Sequence, residues 1–317
     1  MRVMARYGGA DLYVTEYFRV HAESHLSKWI LRSITENPTG RPIFAQMIGN
    51  DEEVLVRNAK RLMEHPIAGV DLNLGCPAPT VYRKCAGGGL LREPQRIDRL
   101  LGALREAVDG RFTVKTRVGF ETGAEFDDLL DVFAKHEIDA LTIHGRTVVG
   151  RYQTPVDPEP IKTAVERMSC PVIANGNVVD VATGQALLAQ TGAAGLMMGR
   201  GAIRNPWLFD QLRATHEGRE PIQPSHRDLH AYLTALWEET AREKKKFDPR
   251  KHTNKMKKYG VYIAQGIGEE FEQRLRRSKE EAEFFGICDE FLLNDEPLPV
   301  LPPENSKLFC GFAELLK

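Results

Sequence analysis

Residues 112–146 read FTVKTRVGFETGAEFDDLLDVFAKHEIDALTIHGR. Phe112–Val118 is rich in apolar and β-branched residues and predicts a strand, as does Ala140–His144. Ala124–His136, between them, has a helical pattern. A strand, a helix and a strand in this order predict two parallel strands joined by a crossover helix. The same alternation extends both ways. Upstream, strands are predicted at Asp11–Phe18, Pro42–Ile48 and Val70–Leu74; downstream, at Pro171–Asn175 and Gly195–Met198. Helices are predicted at Asp51–Glu64, which opens on acidic residues, and at Pro94–Val108, Pro158–Met168 and Val181–Gln190. An additional loop, Gly75–Leu91, follows the third strand. Most strands are apolar runs broken by one or two polar residues, which suits parallel strands covered on both faces.

A polar residue or glycine stands at the end of every predicted strand: Glu16, Gln46, Asn73 with Cys76, Lys115 with Arg117, His144 with Arg146, Asn175, and Gly199 with Arg200. A barrel with its site on the carboxyl rim needs this arrangement. An open doubly wound sheet would gather its site at one switch point. The fold expected is therefore an α/β (β/α)8 TIM barrel, with seven strands instead of eight. Strand signals stop near residue 213. Ser225–Lys246 carries Leu229, Leu233, Leu236 and Trp237 at helical spacing, and Asn254–Gln265 and Glu269–Phe285 also predict helices. The domains expected are a barrel over 1–213 and a small all-α domain over 214–317 with an extended, proline-rich tail.

The chain has 317 residues, 42% hydrophobic and 27% charged, which excludes a disordered polymer. No apolar run approaches the ~18 residues of a membrane span. The first twenty residues carry charges and no continuous apolar stretch, so no secretory signal is expected. The 5 cysteines are few and odd in number, which predicts reduced thiols and a cytoplasmic protein. The net charge of −1 conceals a polarity. Arg242–Lys258 is strongly basic, with Lys244, Lys245, Lys246, Lys251 and Lys255 among its cations, whereas Glu269–Glu296 is acidic. The basic run reads either as a solvated helix face or as a contact for a phosphate backbone.

The richest stretch is DLNLGCP, residues 71–77, followed by GGGLL at 87–91. Cys76 directly follows a strand on a glycine-rich loop. It is either a small buried hydrophobe or an accessible thiol able to act as nucleophile or acid. The flanking Asn73, Gly75 and Pro77 favour the second reading. Lys115, inside a strand, must face the barrel mouth or an ion-pair partner, because a lone buried ammonium is costly. His144, followed by Gly145 and Arg146, is a candidate ligand contact. Asn175-Gly176 and Gly199-Arg200-Gly201 end the last two strands, where such barrels often bind a phosphate group.

These motifs resemble the tRNA-dihydrouridine synthases. DLNLGCPAPTV with the later GGGLL is similar to that family's signature around its active cysteine. VKTRVG, TIHGRT, VIANG and MMGRGA follow in the family's order. The resemblance covers residues 11–210 in detail and the helical region in type. It implies FMN at the barrel mouth, reduction by NADPH, hydride transfer to C6 of a tRNA uridine and protonation of C5 by Cys76. It further implies that Gln46, Lys115 and His144 touch the flavin, and that Asn175, Gly176, Gly199 and Arg200 hold its phosphate. Asn73, Arg117 and Arg146 would lie near the uridine, and the helical domain would grip tRNA. No protein partner is implied, and a monomer is expected. The family's first strand, with its LAPM-type motif, is not seen; Met1–Gly9 reads as the end of the helix that follows it. Two other readings stay open at this point: an FMN-barrel reductase of a small molecule, and a tRNA-binding paralogue without activity.

Overall fold

A computed structural model describes residues 1–242 and 247–309. Lys244, Lys245 and Lys246 lie outside the described residues, as does the end of the tail. The described chain forms two compact units.

The first unit comprises Asp11–Gly176 and Ala186–Met197. Its sheet contains β1 (Tyr13–Val14), β2 (Phe18–Arg19), β3 (Ile43–Ile48), β4 (Gly69–Asn73), β5 (Arg111–Arg117), β6 (Ala140–His144), β7 (Val172–Asn175) and β8 (Gly195–Met197). Neighbours are parallel, in the order β1-β3-β4-β5-β6-β7-β8, and β2 also pairs with β3. This is the barrel-type strand order that the sequence predicts, with β1/β2 and β8 at its two ends. The single strand expected over Asp11–Phe18 is two short pieces. Thr15 interrupts it: its side-chain Oγ1 accepts the Gln46 N–H at 3.1 Å, where a strand would offer a backbone carbonyl.

The central strands β3 to β6 are largely buried on both faces, but the two faces differ in chemistry. Register places Gln46 opposite Asp71, Asp71 opposite Thr113, Asn73 opposite Lys115, Arg117 opposite His144, and His144 opposite Asn175. Side chains alternate along a strand, so these polar groups share one face. Ala45, Met47, Val70, Leu72, Val114, Leu141, Ile143 and Ala174 take the other face and are buried. The polar residues that break the predicted apolar runs thus gather on the inner face, and the outer face is largely apolar. The helix Glu52–Met63 packs on β3 and β4 and buries Val54, Leu55, Ala59 and Leu62. Asp51 caps it, with Oδ1 accepting the Val54 N–H at 3.0 Å, a bond that contributes about 1 kcal/mol.

The second unit comprises Met1–Ala10, Asn177–Gln185 and the chain from Met198 onward. Its main helices are Leu208–His216, His226–Arg242, Pro249–Ile263, Glu269–Arg277 and Glu281–Leu292. Trp237, Tyr232, Met256, Phe271 and Phe284 form the core, joined by Val3 from the short helix Arg2–Ala5. Tyr7 packs edge-on against Trp207 and Tyr232, with centroids 5.0 and 5.5 Å away. Arg213 donates to the carbonyls of Gly8 and Gly9. The first ten residues thus belong to the helical unit. The helix expected over Glu269–Phe285 breaks at Ser278, whose hydroxyl donates back to Leu275 O at 2.8 Å while its carbonyl accepts from Lys257 Nζ at 2.9 Å. Among the described residues, no helix is long and apolar enough to cross a membrane.

Candidate active site

The polar face carries one connected network. Thr113 Oγ1 donates to Asp71 Oδ1 at 2.6 Å, and Gln46 Nε2 donates to Asp71 Oδ2 at 2.7 Å. Asn73 Nδ2 donates to Gln46 Oε1 at 2.8 Å. Asn73 Oδ1 then accepts the backbone N–H groups of Gly75 and Cys76, each at 3.0 Å. The thiol of Cys76 therefore sits on a turn fixed from below by the end of β4. It is half-buried and free, as are Cys85 and Cys170; Cys288 is free and buried.

The glycine run closes over this turn. Gly88 N donates to Cys76 O at 3.3 Å. At Gly89, a Cβ would lie 2.4 Å from Tyr82 O, a distance only glycine permits. The loop expected over Gly75–Leu91 contains two short helical turns, Pro79–Tyr82 and Gly87–Arg92. Arg92 holds the second against Phe120, its guanidinium carbon 4.3 Å from the ring centre.

Lys115 is half-buried. Among the described residues its ammonium makes neither a hydrogen bond nor an ion pair. Burial, then the Arg117 charge, pushes its pKa down to about 8; Asp71 and Cys76 pull the other way. Burial likewise raises Asp71 to about 6, against the hydrogen bonds from Thr113 and Gln46 and the charge of Lys115. The site thus keeps a cation that its own residues do not neutralise.

Arg117 and Arg146, expected near the substrate, have scaffolding partners. Arg117 is 2% exposed and donates to Gly75 O, Thr147 O and Arg151 O at 3.0, 2.7 and 2.9 Å. Arg146 is buried, and its Nε donates to Thr154 O. Both shape the loops around the site. His144 ends β6, buried, with its ring 6.1 Å from that of Tyr152 in an edge-on arrangement. Tyr152 also lies under the Arg117 guanidinium, 5.5 Å away, and is a site neighbour the sequence did not single out. Asn175 Nδ2 donates to Met197 O at 2.8 Å, which ties β7 to β8. Gly176 follows with φ +146°, a conformation that favours glycine.

Gly199 and Arg200 stand in the helical unit, at the start of the five-residue helix Arg200–Arg204. In the same unit, Lys251 is exposed and pairs with Asp248 at 3.5 Å, and Lys255 is half-buried on the helix Pro249–Ile263. Arg250 pairs with Glu280, and Arg274 with Glu290 at 2.6 Å. Part of the basic run is thus neutralised by the acidic run that follows it. Asp71 and Thr113 were not singled out from the sequence. The signal was a carboxylate inside a strand, two positions before Asn73, where a buried charge needs partners.

A parallel barrel-type sheet carrying a thiol, a lysine and a histidine at the carboxyl ends of successive strands defines an α/β-barrel enzyme site. The family model described as dihydrouridine synthase matches residues 1–294. The chain belongs to that family of oxidoreductases. It is 35% identical over 216 residues to a tRNA-dihydrouridine(16) synthase of Haemophilus influenzae, covering 65% of this chain and 70% of that one. It is 32% identical over 263 residues to the Vibrio cholerae protein of the same name, covering 80% and 79% of the two chains. With the Pseudomonas putida protein, also so named, it shares 31% identity over 275 residues, 84% of each chain.

Proposed function

We propose that this protein reduces a uridine of tRNA to dihydrouridine, using FMN and NADPH, with Cys76 as the proton donor. Cys76 on its pinned turn beside Lys115 is the observation that carries the reading. The residues fit FMN: a half-buried ammonium with no hydrogen-bond or ion-pair partner among the described residues suits the pyrimidine edge of a flavin, which gathers negative charge on reduction. Lys115 would hold that edge, with Gln46 and His144 beside it. Gln46 keeps one amide N–H beyond the one it gives to Asp71. Asn175 and Gly176 would meet the phosphate. Bound FMN supplies a hydride for C6 of the uridine, and NADPH replenishes it.

The chain's own residues do the rest. C5 needs a proton, which a thiol still carries at neutral pH when an ordinary carboxyl has lost its own. Cys76 gives that proton, and the nearby positive charge of Lys115 stabilises the thiolate that remains. Solvent then reprotonates the sulfur. Asn73 fixes the turn so that the thiol keeps its place as the base enters. The uridine must leave its stack to reach the site, as in other enzymes that act on bases. Cations of the helical unit, Lys251, Lys255 and Lys258 among them, would contact phosphates, so binding should weaken with salt. The relatives' names make position 16 the uridine to examine first.

The test is to purify the protein with FMN, supply NADPH and unmodified tRNA, and map dihydrouridine along the product. Dihydrouridine at position 16 supports the whole reading. Dihydrouridine at another position keeps the reaction and rejects the position. A preparation that takes up no FMN, or that reduces free pyrimidines without regard to salt and leaves tRNA unchanged, overturns the proposal.

A further inference from the structure

We propose that Asp71 is a positioning residue for the proton donor: acting through Gln46 and Asn73, it sets the turn that presents Cys76. This deepens the reading given above and rests on Cys76 being the donor.

Asp71 does not end its strand. It lies within β4, 3% exposed. A buried carboxylate there is expensive, and an asparagine of the same shape would avoid the charge. The hydrogen bonds show what the charge does. An ionised carboxylate only accepts, so Gln46 must turn its amide N–H toward Asp71. That leaves Gln46 Oε1 for Asn73, which must therefore present Nδ2. Asn73 Oδ1 is left to face the N–H groups of Gly75 and Cys76. Those groups only donate. The chain of bonds thus runs between an acceptor-only end and a donor-only end, and each amide between them has one orientation. Thr113 supports this arrangement by donating to the second carboxylate oxygen.

The groups facing Asp71 keep the carboxylate available at neutral pH. From β5 come the Thr113 hydroxyl and the Lys115 charge, and from β3 the Gln46 amide. Burial opposes them and leaves a pKa of about 6, so the carboxylate is ionised at pH 7. An asparagine at 71 can offer either an oxygen or an N–H. Gln46 can then be met both ways round, and in one of them Asn73 is left facing two N–H groups with a third.

The test uses the full chain with FMN bound. Asp71→Asn, Asn73→Ala, the double variant and Cys76→Ala are compared in three measurements. These are flavin reduction by NADPH, uridine reduction in a single turnover with tRNA, and the alkylation rate of residue 76 by iodoacetamide without tRNA. Asp71→Asn should slow uridine reduction about tenfold, leave flavin reduction within about twofold and change the alkylation rate severalfold. In the double variant, uridine reduction should be no slower than in Asn73→Ala alone, because the two residues act in one chain. If Asp71→Asn leaves uridine reduction and alkylation unchanged, or if the two losses multiply, the positioning role is wrong. Should Asp71→Asn fail to fold, Thr113→Val must show the same pattern in weaker form, and no change there overturns the proposal. If Cys76→Ala still reduces uridine, the donor reading itself fails. If it does not, while Asp71→Asn is as fast as the parent, only the positioning role falls.

Discussion

Replacing Lys115 by methionine should stabilise the flavin-free protein while destroying its activity. In the native state the ammonium is half-buried without a partner among the described residues, and its pKa lies at about 8 instead of 10.5. That difference corresponds to about 3 kcal/mol against the charged form. Water reaches part of the side chain, so the penalty expected in the protein is about 2 kcal/mol. Methionine has a similar length and no charge to desolvate. The attraction of Asp71 is already contained in that pKa, so the net gain expected at pH 7 is about 2 kcal/mol.

The pH dependence gives the sharper test. A native pKa below the unfolded one means that the unfolded chain binds more protons between pH 8 and 10.5. The penalty is therefore complete below pH 8 and fades as pH rises toward 10.5. The parent should be the less stable protein at pH 7, and the gap should close across this window. Urea denaturation of both flavin-free proteins at intervals from pH 7 to 10.5 measures this, with the difference between the curves cancelling other titrations. A variant less stable than the parent at pH 7, or a gap that does not change with pH, would refute the reasoning.

Further outcomes follow from individual contacts. Asn73→Ala leaves the Gly75 and Cys76 N–H groups without their acceptor and should cost about 2 kcal/mol in urea denaturation. Stability equal to the parent's would mean that the turn does not depend on this side chain. Gly89→Ala places a Cβ 2.4 Å from a backbone oxygen and should destabilise by about 2–3 kcal/mol, read in the same assay; a neutral effect would contradict the close approach. Arg204 donates to Gln265 O, Pro299 O and Val300 O, so Arg204→Met should expose Pro297–Leu301 to faster cleavage by a broad-specificity protease. Cleavage at the parent's rate would show that other contacts hold the tail.

Most of the sheet is legible in the sequence because its strands are short apolar runs with a polar residue at the carboxyl end. Ala140–His144 is both the predicted and the observed span of β6. What was not legible depends on side chains that imitate or interrupt the backbone. Thr15 splits the first expected strand by accepting a hydrogen bond that a carbonyl would take. Ser278 splits a helix by bonding back to Leu275. The helix Lys28–Thr35 escaped because it is only about two turns long and has Ile34 as its buried residue, with Trp29 left exposed. At the site, Cys76, Lys115 and His144 stand out because their residue types are unusual at strand ends. Asp71 and Tyr152 acquire meaning only from neighbours remote in sequence. Arg117 reads from the sequence as a substrate contact, and the fold adds that its Nε and Nη1 donate to loop carbonyls.

The central claim is that the thiol of Cys76 completes the reduction of a tRNA uridine. Its most direct test is to reduce the flavin-loaded protein with NADPH, remove the excess, add one equivalent of unmodified tRNA and quantify dihydrouridine by mass spectrometry. The parent should convert tRNA in proportion to its flavin, whereas Cys76→Ala should take up electrons from NADPH equally well and form almost no dihydrouridine. Equal product from the two proteins would contradict the account.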